Sequence, residues 1–223
     1  ETLSLGKKRI AKKSLSLGES LLDRVLDQLV RKKVRAWFGG RIRYFISGGA
    51  ALNPVVGEFF TALGVGIIQG YGQTEASPLI SVNRPDCIKF DSVGRTFDGV
   101  DSKLADDGEL LVRGDLMMNG DWEDPKATAG TIIDGWLHTG DLASIDSDQF
   151  IRIIGRKKDL IVTSGGENIA PSKIESMLSS EPEIEQAAVF GDRTPWPGAA
   201  LIPTDDPKPA PPRPAPPTPP PPP

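Results

Sequence analysis

The sequence predicts an α/β protein: a β-α-β unit with a parallel sheet, then a run of antiparallel strands, then the start of a small α+β domain. Three observations carry that expectation. In RIRYFISGGAALNPVVGEFFTALGVGIIQGYG an apolar run, a glycine turn, a helical run and a second apolar run follow in the order that builds a parallel strand pair. From Asp91 to Gly155 the pattern changes to short alternating runs separated by turn signals, as antiparallel strands require. After Arg156 a strand, a glycine turn, a short helix and another strand alternate once more.

The 223 residues, 38% hydrophobic and 25% charged, suffice for one full domain and part of a second. The net charge of -4 hides an asymmetry, because residues 1–43 hold twelve Lys and Arg against four Asp and Glu. Cys87 is the single cysteine, which excludes an internal disulfide framework and a Cys-rich metal site and fits a reducing cytoplasm. No apolar run approaches the roughly 20 residues of a membrane span, and the N-terminus lacks the apolar core of a secretory signal. Basic residues are not interleaved with aromatics beyond Trp37 and Phe38, which argues against nucleic acid. The chain begins with Glu1 rather than Met, a first sign of a piece of something longer.

In chain order, Leu21, Leu22, Val25, Leu26, Leu29, Val30, Val34 and Trp37 recur at helical spacing, and Gly39-Gly40 stops the helix. Its basic residues Arg24, Arg31, Lys32 and Lys33 fit two readings: a helix on an anionic membrane, or a surface helix with its apolar face on the core. A strand over 42–47 comes next. Asn53 caps a helix over 54–63 that has Pro54 at its first position, and a strand over 65–69 follows. Asp107-Gly108 marks a hairpin within the antiparallel part, which reads as a small barrel. Beyond it come a strand over 160–163, a helix opened by Pro171, and a strand over 186–190. Thirteen of the residues 203–223 are proline, so that tail is expected to be polyproline II or disordered. It reads either as a ligand for aromatic-lined modules or as an out-of-frame end.

SGGAAL (47–52) and YGQTE (71–75) both leave the carboxyl ends of expected parallel strands, where α/β sheets bind ligands. A glycine-rich polar turn there suits a phosphate, because small residues let backbone N–H groups approach. Gly72 gives that freedom, Thr74 offers a hydroxyl, Glu75 offers a hard oxygen to Mg2+ and Tyr71 offers a face for a purine. Asp141, after the Thr139-Gly140 turn, can accept from both hydroxyls of a ribose, or be a turn residue. Arg156 can contact ribose or phosphate, and Ser164-Gly165-Gly166 forms a second flexible turn. His138, without a paired nucleophile motif, reads as structural.

Taken in order, SGGAAL, QGYGQTEASP, VGRTFDGV, GELLVRGDLMMNGDWEDPKATA, DGWLHTGDLASID and GRKKDLIVTSGGENIAPSKIE resemble the adenylate-forming, AMP-binding superfamily of acyl-CoA synthetases, most of all its long-chain fatty-acyl members. The resemblance covers roughly residues 41–195. It implies the C-terminal part of the large adenylate-forming domain (1–157), the start of a small C-terminal domain (158–202) and the proline-rich tail (203–223). It also implies a ligase that joins a fatty acid to AMP and then to the thiol of coenzyme A, or to an acyl carrier protein.

By the same resemblance Gly49, Ala50 and Ala51, with Gly70, Tyr71, Gly72, Gln73 and Thr74, form the adenine and phosphate site. Thr74, Glu75 and Arg156 take part in catalysis, and Glu75 holds Mg2+. Asp141 and Arg156 grip the ribose, Lys158 is the interdomain hinge, and Ser164, Gly165 and Gly166 approach the pantetheine thiol. ATP, Mg2+ and coenzyme A are thus the expected cofactor and cosubstrates, and a fatty acid is the acyl donor. The family's upstream phosphate loop and its C-terminal lysine have no counterpart here, so the chain is expected to be an internal fragment that cannot complete adenylation unaided. A non-catalytic nucleotide-binding remnant is the other reading. GDRTPWPGAALIPTDD drifts from the pattern, as a shifted reading frame would produce. The expected location is cytoplasmic, with a peripheral membrane contact through the basic helix left open.

Overall fold

The computed structural model describes residues 2–10 and 13–205, and the proline-rich stretch from 206 onward lies outside them. The chain divides into two compact units after Lys157. In the first, helix α1 (Thr2–Ile10) and helix α2 (Leu17–Leu26) lead through a π turn, Asp27–Arg31, into helix α3 (Lys32–Trp37). Ser16 caps α2 with a full capping box: its hydroxyl accepts from the Glu19 amide, and the Glu19 carboxylate accepts from the Ser16 amide.

Of the two readings of this helix, the one that sets its apolar stripe on the core is met only in part, since Leu26, Val30 and Val34 are half-buried. Leu21 is 66% exposed and Trp37 85%, whereas Arg31 is 2% exposed and Asp23 is also buried. Arg31 donates from Nε to the Ala62 carbonyl (3.0 Å), and its guanidinium lies 2.7 Å from an Asp23 carboxylate oxygen. A π turn holds one residue more than an α turn, so the helical face turned inward shifts along this segment. Charged groups there are tolerated because they pair and reach backbone carbonyls.

Strand β1 (Tyr44–Ser47) follows, then helix α4 (Pro54–Ala62), with Asn53 Oδ1 accepting from the Val55 amide as its cap. Strand β2 (Gly66–Tyr71) pairs parallel to β1, the crossover the sequence order demands. β3 (Ser81–Val82) and β4 (Arg95–Thr96) extend the same sheet antiparallel, in the order β1-β2-β3-β4. β2 runs two residues past its expected end, so Gly70 and Tyr71 are strand residues rather than loop residues.

The second sheet is antiparallel: β5 (Val100–Leu104), β6 (Glu109–Gly114), helix α5 (Pro125–Thr131), β7 (Ile132–Ile133), β8 (Trp136–Ile145) and β9 (Ile151–Arg156). β8 is its centre and pairs with β6, β7 and β9, which makes a half-barrel rather than a closed one. Beneath it Val100, Leu110, Val112, Leu137, Ala143 and Ile151 form the core, joined by Ala76 and Ile80 from the segment after β2. That segment is therefore anchored from below.

The second unit holds a short hairpin, β10 (Ile161–Val162) with β11 (Asn168–Ile169). Helix α6 (Pro171–Leu178) follows, and then an antiparallel pair, β12 (Ile184–Phe190) with β13 (Gly198–Pro203). Glu175 on α6 accepts from the Val189 amide (2.9 Å) and fastens helix to strand. Residues 198–203, within the stretch that drifts from the sequence pattern, thus pair as a strand with β12, with a register shift between Ile184 and Gln186. Among the described residues no helix is long and apolar enough to cross a membrane.

Candidate functional site

At the end of β2 the chain must turn sharply, and the turn has room for only one residue type. A Cβ on Gly72 would sit 1.6 Å from the Pro78 carbonyl oxygen, so glycine is obligatory there. A single 3-10 turn, Thr74–Ala76, follows and ends at Ser77, whose φ of 52° is left-handed, an uncommon and strained state for a non-glycine residue. The Met118 amide donates to the Glu75 carbonyl (2.8 Å), and Ala76 is sunk in the core. The backbone is fixed while the Thr74 side chain faces solvent and the Glu75 side chain is half-buried. Neither side chain makes a hydrogen bond or ion pair among the described residues.

The turn after β1 lies alongside. A Cβ on Gly48 would lie 3.6 Å from the Gly70 carbonyl oxygen, and Gly49 has a φ of 83°. Gln69 ties this turn down: its Oε1 accepts from the Leu52 amide (2.7 Å), and its Nε2 donates to the Ser92 carbonyl (3.2 Å). In the sequence Gln69 reads as the last residue of a strand and the first of QGYGQTEASP, with no contact of its own. Its signal was a polar residue at an inward position beside two glycine turns.

Asp141 comes from the other sheet. Two steps along β6, Glu109 to Leu111, face four along β8, Leu142 to His138, so β8 bulges over Thr139–Asp141. Such a bulge re-aims a side chain at the cost of ladder hydrogen bonds. Here side chains replace them. Thr139 Oγ1 donates to the Leu110 carbonyl (2.7 Å) and accepts from the Asp141 amide (3.1 Å).

The bulge turns the Asp141 carboxylate, only 4% exposed, toward Tyr71 and Arg156. The Tyr71 hydroxyl donates to Asp141 Oδ2, and Arg156 Nε lies 3.2 Å from Oδ1. Burial first, and then the hydrogen bond to Asp141, push the Tyr71 phenol well above its ordinary range. Tyr71, Asp141 and Arg156 therefore meet from β2, β8 and the end of β9. Gly49, Gly72, Gln73 and Thr74 belong to the neighbouring turns, and Gly70 lies in β2 just before Tyr71.

His138 Nδ1 lies 3.4 Å from Glu109 Oε2, a contact within the sheet. Lys158 follows the first unit directly, in a 3-10 turn, Lys157–Asp159. Ser164, Gly165 and Gly166 form the tip of the β10–β11 hairpin. The Ser164 amide donates to the Thr194 carbonyl (2.9 Å), the Gly166 amide to the Thr163 carbonyl (2.9 Å), and Gly166 has a φ of 82°.

Glu75 is the candidate ligand for Mg2+. No cluster of three or more potential metal-ligating side chains occurs among the described residues. A single carboxylate fits Mg2+ nonetheless, because that ion draws its remaining ligands from phosphates and water.

The profile of the family described as AMP-binding enzyme matches residues 18–122, and that of its C-terminal domain matches 158–213. The chain is 44% identical over 184 residues to the long-chain-fatty-acid–CoA ligase FadD15 of Mycobacterium bovis, covering 82% of this chain and 30% of that one. It is 40% identical to the long-chain-fatty-acid–CoA ligase of Escherichia coli O157:H7, over 65% of this chain and 28% of that one. It thus spans about 30% of the length of such relatives. Among solved structures it resembles O-succinylbenzoate coenzyme A synthetase of Bacillus subtilis. The complex with the acyl-adenylate intermediate matches with a TM-score of 0.69 at 26% identity, over 86% of this chain and 45% of that one. The complex with ATP and magnesium ion matches at 0.65 and 28%, over 76% and 40%.

Proposed function

Because this chain belongs to the AMP-binding enzyme family, we propose that it is the nucleotide-holding part of a fatty-acid:CoA ligase, long-chain fatty acids being the acyl donor its curated relatives' names favour. The observation that carries the reading is the buried Asp141 carboxylate, held by Tyr71 and Arg156 beside the Gly72 turn. A carboxylate so placed suits the two hydroxyls of a ribose, and the adjacent turns suit adenine and phosphate.

In the proposed reaction a fatty-acid carboxylate attacks the α-phosphorus of ATP, forming acyl-AMP and releasing pyrophosphate. The thiolate of coenzyme A then attacks the acyl carbon and AMP leaves. Tyr71 would stack on adenine against Gly49, Ala50 and Ala51, with Gly70, Gly72 and Gln73 shaping the same wall. Asp141 and Arg156 would grip the ribose, and Thr74 would donate to an α-phosphate oxygen. Glu75 would hold Mg2+, which neutralises phosphate charge when bound. Lys158 would serve as hinge, and Ser164, Gly165 and Gly166 would face the pantetheine thiol. We place the protein in the cytoplasm. The exposed Leu21, Leu29 and Trp37, flanked by Arg24, Lys32 and Lys33, support a peripheral contact with anionic lipid, testable by vesicle cosedimentation at low and high salt.

Calorimetric titration of this chain with a non-hydrolysable long-chain acyl-adenylate tests the main reading. Binding that weakens in Asp141→Ala supports it; binding equal in both proteins sinks it.

A further inference from the structure

Among the described residues, the buried acid Glu109 has no part in the proposed nucleotide contacts. Glu109 opens β6 at the point where β8 bulges, and is 5% exposed. Its Oε1 accepts from the Gly140 amide (2.9 Å), while Oε2 accepts from Lys157 Nζ (3.1 Å) and faces His138 Nδ1 (3.4 Å). Lys157 also pairs with Asp107, in the turn before β6. A carboxylate taken almost wholly out of water survives only with such partners.

Those partners are the immediate chain neighbours of the ribose-gripping pair. Gly140 precedes Asp141, and Lys157 follows Arg156. Asp141 and Arg156 themselves face each other across the β8–β9 ladder. The bulge frees the Gly140 amide from the ladder, and its φ of 71°, which glycine adopts without strain, lets that amide donate to Glu109 instead. One oxygen of Glu109 holds that bulge, and the other holds the end of β9.

We propose that Glu109 is a positioning residue for nucleotide binding: it locks Asp141 and Arg156 in register by gripping the residue beside each. The inference rests on Asp141 and Arg156 being the ribose contacts. Lys157 is the last residue of the first unit, so the same carboxylate fixes the point at which the fold of that unit ends. The GELLVRG stretch thereby gains a role in ribose selection as well as in the sheet.

The test compares the affinity of this 223-residue chain for AMP and for 2′,3′-dideoxy-AMP, a ratio that reads the hydroxyl contacts and is insensitive to general loss of stability. The wild-type chain is expected to favour AMP by about tenfold or more, the worth of a charge-assisted hydrogen bond. Asp141→Ala should abolish the preference. Glu109→Ala should reduce it to within about twofold of the Asp141→Ala value, and Glu109→Gln, which keeps an acceptor for Gly140 but no charge for Lys157, should fall between.

The Gly140 amide resonance should move upfield in Glu109→Ala without ligand, a readout of the bulge itself. Should Glu109→Ala fail to fold, Glu109→Gln decides alone. Wild-type preference in the Glu109 variants, with the preference lost only in Asp141→Ala, overturns the inference and leaves the ribose reading standing. Equal ratios in wild type and Asp141→Ala overturn both.

Discussion

Tyr71 and Asp141, seventy residues apart in the chain, are joined by a hydrogen bond from phenol to carboxylate. This bond couples the two sheets of the first unit at the candidate site, since Tyr71 ends β2 and Asp141 sits in β8. Removing the hydroxyl leaves a nearly buried carboxylate one partner short. Tyr71→Phe is expected to lower stability by about 1–3 kcal/mol, measured by urea unfolding, with the ring and its packing retained.

The same bond predicts an alkaline limit. The Tyr71 phenol is raised in the folded state by burial and by Asp141, so the folded form holds the proton more tightly than the unfolded chain. Stability from this group is therefore complete below the ordinary phenol range near pH ~10 and falls as pH rises above it. In Tyr44→Phe, which leaves Tyr71 as the only tyrosine, phenolate absorbance should appear together with loss of the far-UV signal rather than before it.

An acid limit comes from the β8–β9 turn. Lys89 and the Phe150 amide, with Arg152, hold the Asp146 carboxyl well below the usual carboxylate range. A lowered folded value gives stability that is present above the unfolded carboxyl pKa of about 4 and is lost as pH falls below it. Melting temperatures of Asp146→Asn should depend less on pH below about 4 than those of the wild type, the two curves drawing together as acidity increases.

Two glycines should respond oppositely to one methyl group. Gly72→Ala would drive a Cβ into the Pro78 carbonyl and should cost about 2 kcal/mol or more, weakening nucleotide binding with it. Gly18, in the first turn of α2, has open space around it, so Gly18→Ala should leave stability unchanged or raise it by up to about 1 kcal/mol. Parallel denaturant titrations compare them directly.

Much of the architecture was legible because local chemistry and tertiary need agree. The Asn53-Pro54 helix start, the parallel β1–β2 pair and the antiparallel second sheet all arise where the sequence places them. The helical segment 17–37 was less legible. Periodicity reports how apolar residues are spaced, whereas the inward face here is set by Asp23 and Arg31 pairing with each other and with Ala62, which no hydrophobic count registers.

The candidate site shows the same division. Tyr71, Asp141 and Arg156 were marked in the sequence, and they meet in space. Glu109 and Gln69 were not marked, because each works through a backbone amide brought near only by folding: Gly140, thirty-one residues away, and Leu52, seventeen away. Distances along the chain carry no trace of such contacts.

The outward turn of Leu21, Val25, Leu29 and Trp37 has a colloidal consequence. A stripe of oily side chains on a free helix face makes a molecule adhesive to its own kind, and adhesion of this origin strengthens in sulfate or phosphate salts. Attraction between opposite charges fades as salt is added. Rising turbidity with ammonium sulfate, against clearing with sodium chloride, would therefore identify which force governs the dispersity of a concentrated solution of this chain.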